Sequence, residues 1–331
     1  MTMFITGGTS SIGRVLVKEL SARGIPARLL VRKSSNRAAL ELPGVTFIEG
    51  DVTDADAVRR GMEGCQSATH LAAVVGHNVP EAEWWRVNRE GSRNVLQAAY
   101  DLHLDSLVQV SSLSVLGTTR PGEIADETRP IDTDRYMNLY QKTKHAADEI
   151  AREYAAQGLP VKIVYPAFGY GCSQASSHPS LQDQTLLRMA AGKPVAILGS
   201  GRNRLCLSYY NDTAAGILLA HARGAAGEGY ILGNENLTFK EIWAAVAEVL
   251  GKEMPRMRVP LPILRLVSSA ACLLTGRSIF PPEFFEMLGL DWCFSSRKAR
   301  ELLGWKPHSF LDGLRDTWAE YQKQGWSPSA G

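Results

Sequence analysis

Tyr140 and Lys144 lie four residues apart in YQKTK, a spacing that places both side chains on one face of a helix. A tyrosine titrates near pH ~10, so it carries protons poorly at neutral pH unless a cation such as Lys144 lowers its pKa. Upstream, the run SLVQVSS ends in Ser112, whose hydroxyl can bond to a substrate oxygen as charge develops there. Together these residue types are suited to moving a proton to or from an oxygen atom.

The elements that must position these residues begin with the sequence MFITGGTSSIG. Its turn directly follows an apolar run and opens a helix near Ser11, which is the placement that pyrophosphate binding requires. Unpaired N–H groups at a helix N-terminus bind phosphate without a cationic side chain. Serine replaces the middle glycine of the usual pattern and can donate its own hydroxyl. The sequence therefore predicts a dinucleotide site with phosphate contacts at Gly7, Ser10, Ser11, Ile12 and Gly13.

The ends of the second and third predicted strands bear on the choice of dinucleotide. An NAD-binding fold places an acidic residue after the second strand, where it holds the adenosine ribose. Arg32 and Lys33 occupy that position here, and no acid follows until Glu41. A guanidinium suits the extra 2′-phosphate of NADP, so we expect NADP(H) rather than NAD(H), the alternative being a solvated basic pair. In GDVTD, Asp51 and the Val52 backbone are expected at the adenine.

Short apolar runs alternate with segments of helical periodicity through the first half of the chain. Strands are predicted over 3–6, 27–31, 45–49, 68–73, 106–112 and 161–166. Helices are predicted near 12–24, 54–64, 81–103 and 134–157. Runs that are apolar throughout are typical of a parallel sheet covered on both faces. The alternation predicts an α/β fold with a doubly wound parallel sheet of the Rossmann type.

After about residue 166 the alternation becomes irregular. A helix near 181–191, a strand pair near 195–209 and helices in DTAAGILLAHARG and FKEIWAAVAEVLGK are predicted. We expect a dinucleotide-binding domain over 1–166, completed by about 205–233. A smaller, mostly helical substrate-binding domain is expected from 167–204 and 234–331.

The segment 259–276, VPLPILRLVSSAACLLTG, is unusually apolar and contains a single charged residue, Arg265. One interpretation is a helix packed inside the substrate-binding domain. The others are an apolar wall beside a lipophilic substrate, or a helix in weak contact with a membrane surface, flanked by Arg258 and Arg277. The segment is too short and interrupted to span a bilayer, so no transmembrane helix is expected.

The composition excludes several classes of protein. The 331 residues are 45% hydrophobic and 21% charged, which is typical of a globular protein. A net charge of +2 without a basic stripe gives no reason to expect a nucleic-acid partner. The five cysteines are scattered, with no spacing typical of a zinc site, so no metal is expected. Isolated cysteines and the absence of a secretory signal before Gly7 favour a cytoplasmic protein.

Nine pieces of the chain, in order, now carry a family resemblance: TGGTSSIG, GDVTDADAV, HLAAVV, VNREGSRNVLQAA, VSSLSVLG, YQKTK, GSGRNRLCLSYYNDTAAG, GEGYILGNENLTFKEI and LGWKP. The sequence resembles the extended short-chain dehydrogenase/reductases, the NAD-dependent epimerase/dehydratase superfamily. Within that family it is most similar to the branch of dihydroflavonol reductases and 3-beta-hydroxysteroid dehydrogenases.

The resemblance implies roles for individual residues. It makes Ser112 the catalytic serine, Tyr140 the general acid/base and Lys144 the catalytic lysine, which also holds the nicotinamide ribose. Asn88 matches an asparagine that is either structural or part of a proton relay. Further cofactor contacts are implied at Ala72, Ala73, Tyr140, Lys144 and Pro166. Candidate substrate contacts are His77, Ser114, Phe168 and Tyr170. A homodimer through the helices near 81–103 and 134–157 is also implied.

The family contains several reaction types, and two sequence features choose among them. Leu113 and Ser114 follow Ser112 where the sugar-nucleotide dehydratases have an Asp-Glu pair, so dehydration is not expected. The run LCLSYYND, which ends at Asp212, lacks the arginine that epimerases usually carry there, although Arg202 and Arg204 lie just upstream. We therefore expect an NADP(H)-dependent oxidoreductase that reduces a ketone or aldehyde of a fairly apolar small molecule, or oxidises the alcohol. The alternatives are an NAD(P)-dependent nucleotide-sugar epimerase and a non-catalytic NADPH-binding regulator.

Overall fold

A parallel sheet of seven strands forms the centre of the protein. The computed structural model describes residues 1–76, 79–172, 180–275, 285 and 288–326. The strands of the large sheet are β1 (Met3–Thr6), β2 (Ala27–Val31), β3 (Val45–Glu49), β4 (Ser67–His70), β5 (Ser106–Val110), β6 (Val161–Pro166) and β10 (Gly229–Leu232). They lie in the order β10-β6-β5-β4-β1-β2-β3. This is the predicted doubly wound sheet, which is confirmed.

Helices cover both faces of this sheet. Those of the first half are α1 (Ser11–Ala22), α2 (Ala55–Met62), α3 (Glu81–Trp84), α4 (Gly91–Asp101) and α5 (Leu139–Ala156), with α7 (Tyr210–Arg223) later in the chain. A π-helical stretch, Trp85–Glu90, joins α3 to α4. Met3 and Ile5 pack in one buried cluster with residues of α1, and Phe4 packs in the other with residues of α2 and α4. Because successive strand residues face opposite covered surfaces, most of the strands are largely apolar, whereas β4 contains three buried polar residues.

The predicted bounds of four strands, 3–6, 27–31, 45–49 and 161–166, match the structure residue for residue. Two other strands end earlier than predicted, β4 at His70 rather than 73 and β5 at Val110 rather than 112. His70 pairs with Thr6, the last residue of β1, so the ladder has no partner strand beyond it. The residues that follow therefore leave the sheet and become available to line a site.

The rest of the chain forms two small sheets and further helices. The strands are β7 (Phe168–Tyr170), β8 (Ile197–Leu198), β9 (Arg204–Tyr209), β11 (Asn236–Thr238) and β12 (Arg258–Val259). The helices are α6 (Leu181–Ala190), α8 (Phe239–Leu250), α9 (Leu261–Thr275), a π-helical stretch over Ala299–Leu303 and α10 (Phe310–Lys323). We call residues 1–166 and 210–232 the sheet region and the other described residues the outer region.

The strand pair predicted near 195–209 is wrong in its pairing. Strands β8 and β9 both form, but β8 pairs with β12, and β9 lies between β7 and β11. The backbone explains the difference, because Ile197 N donates to Met257 O and Cys206 N donates to Trp292 O. Segments distant in sequence, around Met257 and Trp292, thus accept the backbone hydrogen bonds that β8 and β9 were expected to make with each other.

Helix α9 is the most exposed apolar element of the outer region. Leu266 is 70% exposed and Leu273 is 88% exposed, while Ile263 and Val267 are also open to solvent. The interpretation of 259–276 as a packed interior helix is therefore wrong for this face. Residue 277 lies outside the described residues. No described helix is long and apolar enough to cross a bilayer.

Candidate active site

A cleft of about 670 Å³ lies where the chain leaves the carboxyl ends of the parallel strands. Ligands bind at this edge in open α/β sheets. The predicted site residues that line the cleft are Gly7, Ser10, Ser11, Ile12, Arg32, Asp51, Val52, Ala72, Ala73, Ser112, Tyr140, Lys144 and Pro166. Gly13 and Lys33 are not among the lining residues. In the described part of the chain, no group of three His, Cys, Asp or Glu side chains is arranged to hold a metal ion.

The turn between β1 and α1 is held in a close-packed form. Ser10 caps α1, with its Oγ accepting a hydrogen bond from Gly13 N at 3.1 Å. A Cβ at Gly7 would lie 2.6 Å from Ala72 N, and one at Gly13 would lie 2.8 Å from the Gly8 Cα. Only glycine allows these approaches of backbone to backbone, so the N-terminus of α1 is left open toward the cleft. This cradle fits a pyrophosphate.

Arg14 supports the same turn, although the sequence analysis did not select it. Its side chain is largely buried, with Nε donating to Thr9 O at 2.9 Å and Nη2 donating to Asn36 O at 2.8 Å. These bonds tie the glycine turn to the loop after β2, which carries Arg32. No spacing rule marks such a residue, because its partners are backbone carbonyls.

The other end of the cleft combines a cation with a carboxylate. In the described residues the Arg32 guanidinium has no hydrogen-bond partner, whereas its backbone N donates to Ser35 Oγ at 3.2 Å. Asp51 accepts from Thr53 N and from Thr53 Oγ1, at 3.0 and 2.8 Å. Burial opposes ionisation of Asp51, but these bonds and the charges of Arg86 and Arg32 lower its pKa overall. The end of the cleft therefore offers a free guanidinium and an ionised carboxylate.

Ser112 and Tyr140 meet near the middle of the cleft. Ser112 follows β5, its Oγ lies 2.9 Å from Ser114 Oγ, and its hydroxyl is near enough to Tyr140 to lower the pKa of that phenol. Tyr140 lies in the first turn of α5, and its ring packs edge-on against Trp84 with centroids 6.2 Å apart. Gln141, which is buried, joins the two segments, because its Nε2 donates to Ser114 O at 2.9 Å. The serine and the phenol are thus held together from both sides.

The lysine lies one turn further along α5. Lys144 is buried and its Nζ donates to Val110 O at 2.6 Å, at the end of β5. Burial lowers its pKa to about 8, opposed by the charge of Asp148. Burial in turn raises the pKa of Asp148 to about 6, although Ser111 Oγ donates to its Oδ2 at 2.6 Å. Lys144 therefore remains mostly cationic at neutral pH.

The expected effect of the lysine on the tyrosine is wrong for this arrangement. Desolvation raises the pKa of Tyr140, opposed by the neighbouring Ser112 hydroxyl, and Lys144 is not among the groups that shift it. The lysine ammonium is directed at a backbone carbonyl instead. The phenol of Tyr140 is therefore protonated at neutral pH, which suits a proton donor.

Asn88 uses its side chain for structural contacts. Its Oδ1 accepts from Val74 N at 2.6 Å, and its Nδ2 donates to Thr143 Oγ1 at 3.0 Å. Val74 lines the cleft, and Thr143 lies between Tyr140 and Lys144 on α5. Asn88 thus links the wall of the cleft to α5, from within the π-helical stretch.

His70 is a buried residue beside the cleft that the sequence analysis also missed. Its Nδ1 lies 2.6 Å from Thr6 Oγ1 and its Nε2 lies 3.0 Å from Ser92 Oγ. Burial, with the charge of Lys144, lowers its pKa to about 3. It is therefore neutral and joins the ends of β1 and β4 to α4. The signal available in the sequence was a histidine inside the predicted strand 68–73.

The four predicted substrate contacts have different positions in the structure. His77 lies outside the described residues, and Ser114 lies beside Ser112. Phe168 is partly buried, with its ring 5.6 Å from that of Trp292. Tyr170 is only 2% exposed and its ring stacks on Tyr209, so the structure corrects its expected position at the substrate. It faces the interior because β7 pairs with β9 and turns this residue toward α10.

Comparison with known proteins places this geometry in a family. The NAD dependent epimerase/dehydratase family matches residues 3–233. The chain belongs to this family. Among its relatives, a protein of Synechocystis sp. described as a candidate dihydroflavonol 4-reductase is 30% identical over 332 residues, covering 98% of this chain and 95% of the relative. A 3 beta-hydroxysteroid dehydrogenase/Delta 5→4-isomerase of Mycobacterium tuberculosis is 30% identical, covering 92% of this chain and 86% of the relative.

A third relative and a solved structure extend the comparison. The 4-hydroxy-2-methyl-3-oxo-4-farnesyl-3,4-dihydroquinoline-1-oxide ketoreductase of Stigmatella aurantiaca is 31% identical, covering 70% of this chain and 68% of the relative. The crystal structure of gox2253 is 29% identical with a TM-score of 0.83, and the match covers 98% of both chains. These relatives confirm the predicted family and branch, and they indicate an oxidoreductase.

Proposed function

We propose that this protein is an NADP(H)-dependent oxidoreductase that reduces a ketone or aldehyde of a fairly apolar small molecule. The observation that carries the proposal is one cleft with a phosphate-binding turn and a free guanidinium at one end and Ser112, Tyr140 and Lys144 along its wall. The reductase and dehydrogenase relatives support the same reaction class.

The cofactor is proposed to lie along the cleft. The α1 N-terminus and Ser10 would hold its pyrophosphate, and Asp51 with the Val52 backbone would hold the adenine. Arg32 would bind the 2′-phosphate, since its guanidinium has no other hydrogen-bond partner in the described residues and arginine binds phosphate bidentately. Lys144, near the other end of the cleft, would hold the nicotinamide ribose. When bound, the nicotinamide supplies the hydride.

The protein's own part in the reaction is to orient the carbonyl and to supply a proton. Ser112 Oγ would hydrogen-bond to the substrate oxygen, which fixes the carbonyl carbon toward the hydride donor. As the carbonyl carbon gains hydride, negative charge develops on the oxygen, and Tyr140 donates its phenolic proton to it. The raised pKa of Tyr140 supports this direction, because the phenol starts the reaction protonated. The product is the alcohol, and bulk water restores the proton.

The proposal is tested by replacing the phenol alone. Tyr140→Phe should retain NADPH binding and lose about 10²- to 10⁴-fold in kcat for a reduced carbonyl. Tyr136→Phe is the matched control, since Tyr136 lies one turn earlier and its hydroxyl donates to Val115 O at 2.8 Å. A panel of aldehydes and ketones, followed by NADPH absorbance, provides the assay. Carbonyl reduction that survives Tyr140→Phe at saturating NADPH would overturn the assigned role.

The identity of a co-purified nucleotide distinguishes reduction from epimerisation. A reductase exchanges its cofactor in every cycle, whereas an epimerase regenerates it in place. Denatured protein should therefore release little nucleotide, and that nucleotide should be NADP when analysed by mass spectrometry. Near-stoichiometric NAD would contradict both the Arg32 assignment and the reductase proposal.

Two partner predictions stay open to experiment. Light scattering checks the homodimer predicted through 81–103 and 134–157. Sedimentation with anionic vesicles checks the membrane-surface contact of 259–276, which the exposed Leu266 and Leu273 support. The sequence from 254 to 275 contains Arg256, Arg258 and Arg265 and no acidic residue, which suits anionic lipid.

A further inference from the structure

A second cavity, of about 370 Å³, lies between the start of α9 and the segment that leads into α5. Met137, Leu261 and Leu290 give it an apolar lining, and Arg135 and Arg265 lie at the same cavity. Its size lies within the range of small-molecule sites. We name it the outer cavity.

The outer cavity shares structural elements with the active-site cleft. Thr118, on its wall, follows the 3₁₀ turn Leu113–Leu116 that Ser112 caps. Met137, also on its wall, donates its backbone N to Gln141 Oε1 at 2.8 Å. Gln141 is the residue that follows Tyr140 and also bonds to Ser114 O. A molecule in the outer cavity would therefore touch the segments that carry the serine and the tyrosine.

The side chains of both arginines at this cavity are unpaired among the described residues. In the part of the chain that the structure describes, neither Arg135 nor Arg265 makes a side-chain hydrogen bond or an ion pair, although Asp134 precedes Arg135 in sequence. Exposed arginines elsewhere in the described chain include paired ones, as Arg256 is with Glu253 at 2.9 Å and Arg315 with Glu248 at 3.0 Å, and unpaired ones such as Arg202, which lines neither cavity. Two unpaired guanidiniums beside an apolar lining are suited to a ligand that is both apolar and anionic.

The two faces of α9 have different surroundings, since one borders the outer cavity and the other faces solvent. Leu261 and Arg265 are one helical turn apart and line the outer cavity, whereas Leu266 and Leu273 lie on a different face and are exposed. The only charged side chain of the helix is therefore on the side that borders the cavity. Arg265 is itself exposed, so its guanidinium lies at the rim of the cavity, where it can reach a ligand and solvent.

We propose that the outer cavity binds the part of the substrate remote from its carbonyl group, and that this part is an apolar group with an anionic substituent such as a carboxylate, sulfate or phosphate. The inference rests on the proposed function, because it assigns the substrate class of the same reaction. Arg135 and Arg265 are its specificity residues, and they bind the anion while Met137 and Leu261 contact the apolar body. The anion belongs either to a soluble amphiphile or to a lipid headgroup.

Binding of octyl phosphate to the full-length protein tests the inference without turnover. Calorimetry should show octyl phosphate binding more tightly than octan-1-ol, both below their aggregation limits. Arg135→Gln and Arg265→Gln should each weaken octyl phosphate binding by about tenfold or more, since each variant loses a charge-assisted hydrogen bond. Arg202→Gln is the matched control, because Arg202 is exposed in the outer region and lines neither cavity. It should bind octyl phosphate as the wild type does.

The outcomes separate this inference from the reductase proposal. Equal affinity for the phosphate and the alcohol, or unchanged binding in both cavity variants, overturns the inference whatever the enzyme's activity. Arginine-dependent binding together with no NADPH-dependent reduction of any carbonyl overturns the proposed function alone. Phosphatidylglycerol vesicles distinguish the sources of the anion. Arg265-dependent sedimentation with vesicles, but no binding of monomeric octyl phosphate, would overturn the cavity site in favour of a membrane surface contact.

Discussion

The sheet region and the outer region differ in how local sequence relates to structure. In the sheet region every strand pairs in parallel with its neighbours, and all but the edge strand β3 are mostly buried, so their bounds largely follow from the apolar runs. In the outer region β8 and β12 are two residues long and pair across about sixty residues of chain. The comparison teaches that the residues proposed for cofactor binding and proton transfer lie in short continuous motifs, whereas the walls proposed for the substrate are assembled from distant segments.

The largest expected effect comes from a Cβ in the glycine turn. Gly13→Ala should weaken NADPH binding by about 100-fold or more, or prevent folding, because backbone atoms on the opposite side of the turn cannot move away. In the outer region, the Cβ added by Gly192→Ala would have no atom within 4 Å, so the cost of this change is the backbone strain of a φ of +69°. It should cost about 1–2 kcal/mol of stability and leave NADPH binding unchanged. Fluorescence titration and thermal unfolding compare the two variants, and equal effects would contradict the contrast.

A smaller effect is expected at the end of β2. Arg32→Ala should reduce the preference for NADPH over NADH by about 10- to 100-fold, because one charged hydrogen-bonding group is lost. Arg202→Ala, in the outer region, should leave the preference as it is. The ratio of kcat/KM for the two cofactors measures it. A preference that survives in Arg32→Ala would assign the 2′-phosphate to another residue.

The candidate site was predictable where one element carries several of its residues. Tyr140 and Lys144 share a helix, and the glycine turn is one continuous motif, so spacing alone indicates their chemistry. Arg14, His70 and Gln141 were missed because each acts through a partner remote in sequence. Their side chains bond to Asn36 O, Thr6 and Ser114 O.

The substrate contacts were the least predictable part of the site, because they too depend on partners that are remote in sequence. Tyr170 is a plausible aromatic contact by position, but the pairing of β7 with β9 directs it into the interior. The outer cavity joins Arg135 to Arg265, which are far apart in the chain, and no periodic pattern connects them. Their proximity depends on how α9 lies against the segment before α5, which is a tertiary property.

Two histidines provide a pH test of the two regions. His70, in the sheet region, has its pKa lowered to about 3, so the unfolded chain takes up a proton below pH ~6.5 and stability is lost as the pH falls. His308, in the outer region, has its pKa raised by its hydrogen bond to Asp212. Its contribution is therefore present below pH ~6.5 and is lost as the pH rises through the folded-state pKa.

As the pH falls, His70→Gln should lose less of its free energy of unfolding than the wild type does. The difference should be up to about 1.4 kcal/mol per pH unit. In His308→Gln the pH dependence of the free energy of unfolding should change in the opposite direction. The change should be smaller, since the His308 side chain is half exposed. Urea unfolding at pH 5 and pH 7 measures both. Changes of the same sign in the two variants would contradict the assignment.

The smallest effect compares two helix caps. Ser10 caps α1 in the sheet region, and Thr238 caps α8 in the outer region, where Glu241 completes a capping box. Replacing either cap by alanine should lower the free energy of unfolding by about 1 kcal/mol. Only Ser10→Ala should also weaken NADPH binding. Equal NADPH affinity in both variants would remove Ser10 from the pyrophosphate site.

The position of β10 has a consequence for synthesis of the protein. This strand forms the outer edge of the large sheet beside β6, yet it follows the first outer-region strands in the chain. While residues 167–228 are being translated, β6 has no partner on that side, and an unpaired apolar edge of this kind invites pairing with other chains. Emergence of Gly229–Leu232 from the ribosome ends this exposure. We expect slow translation through 167–228 to increase aggregation of the nascent chain and its demand for chaperones.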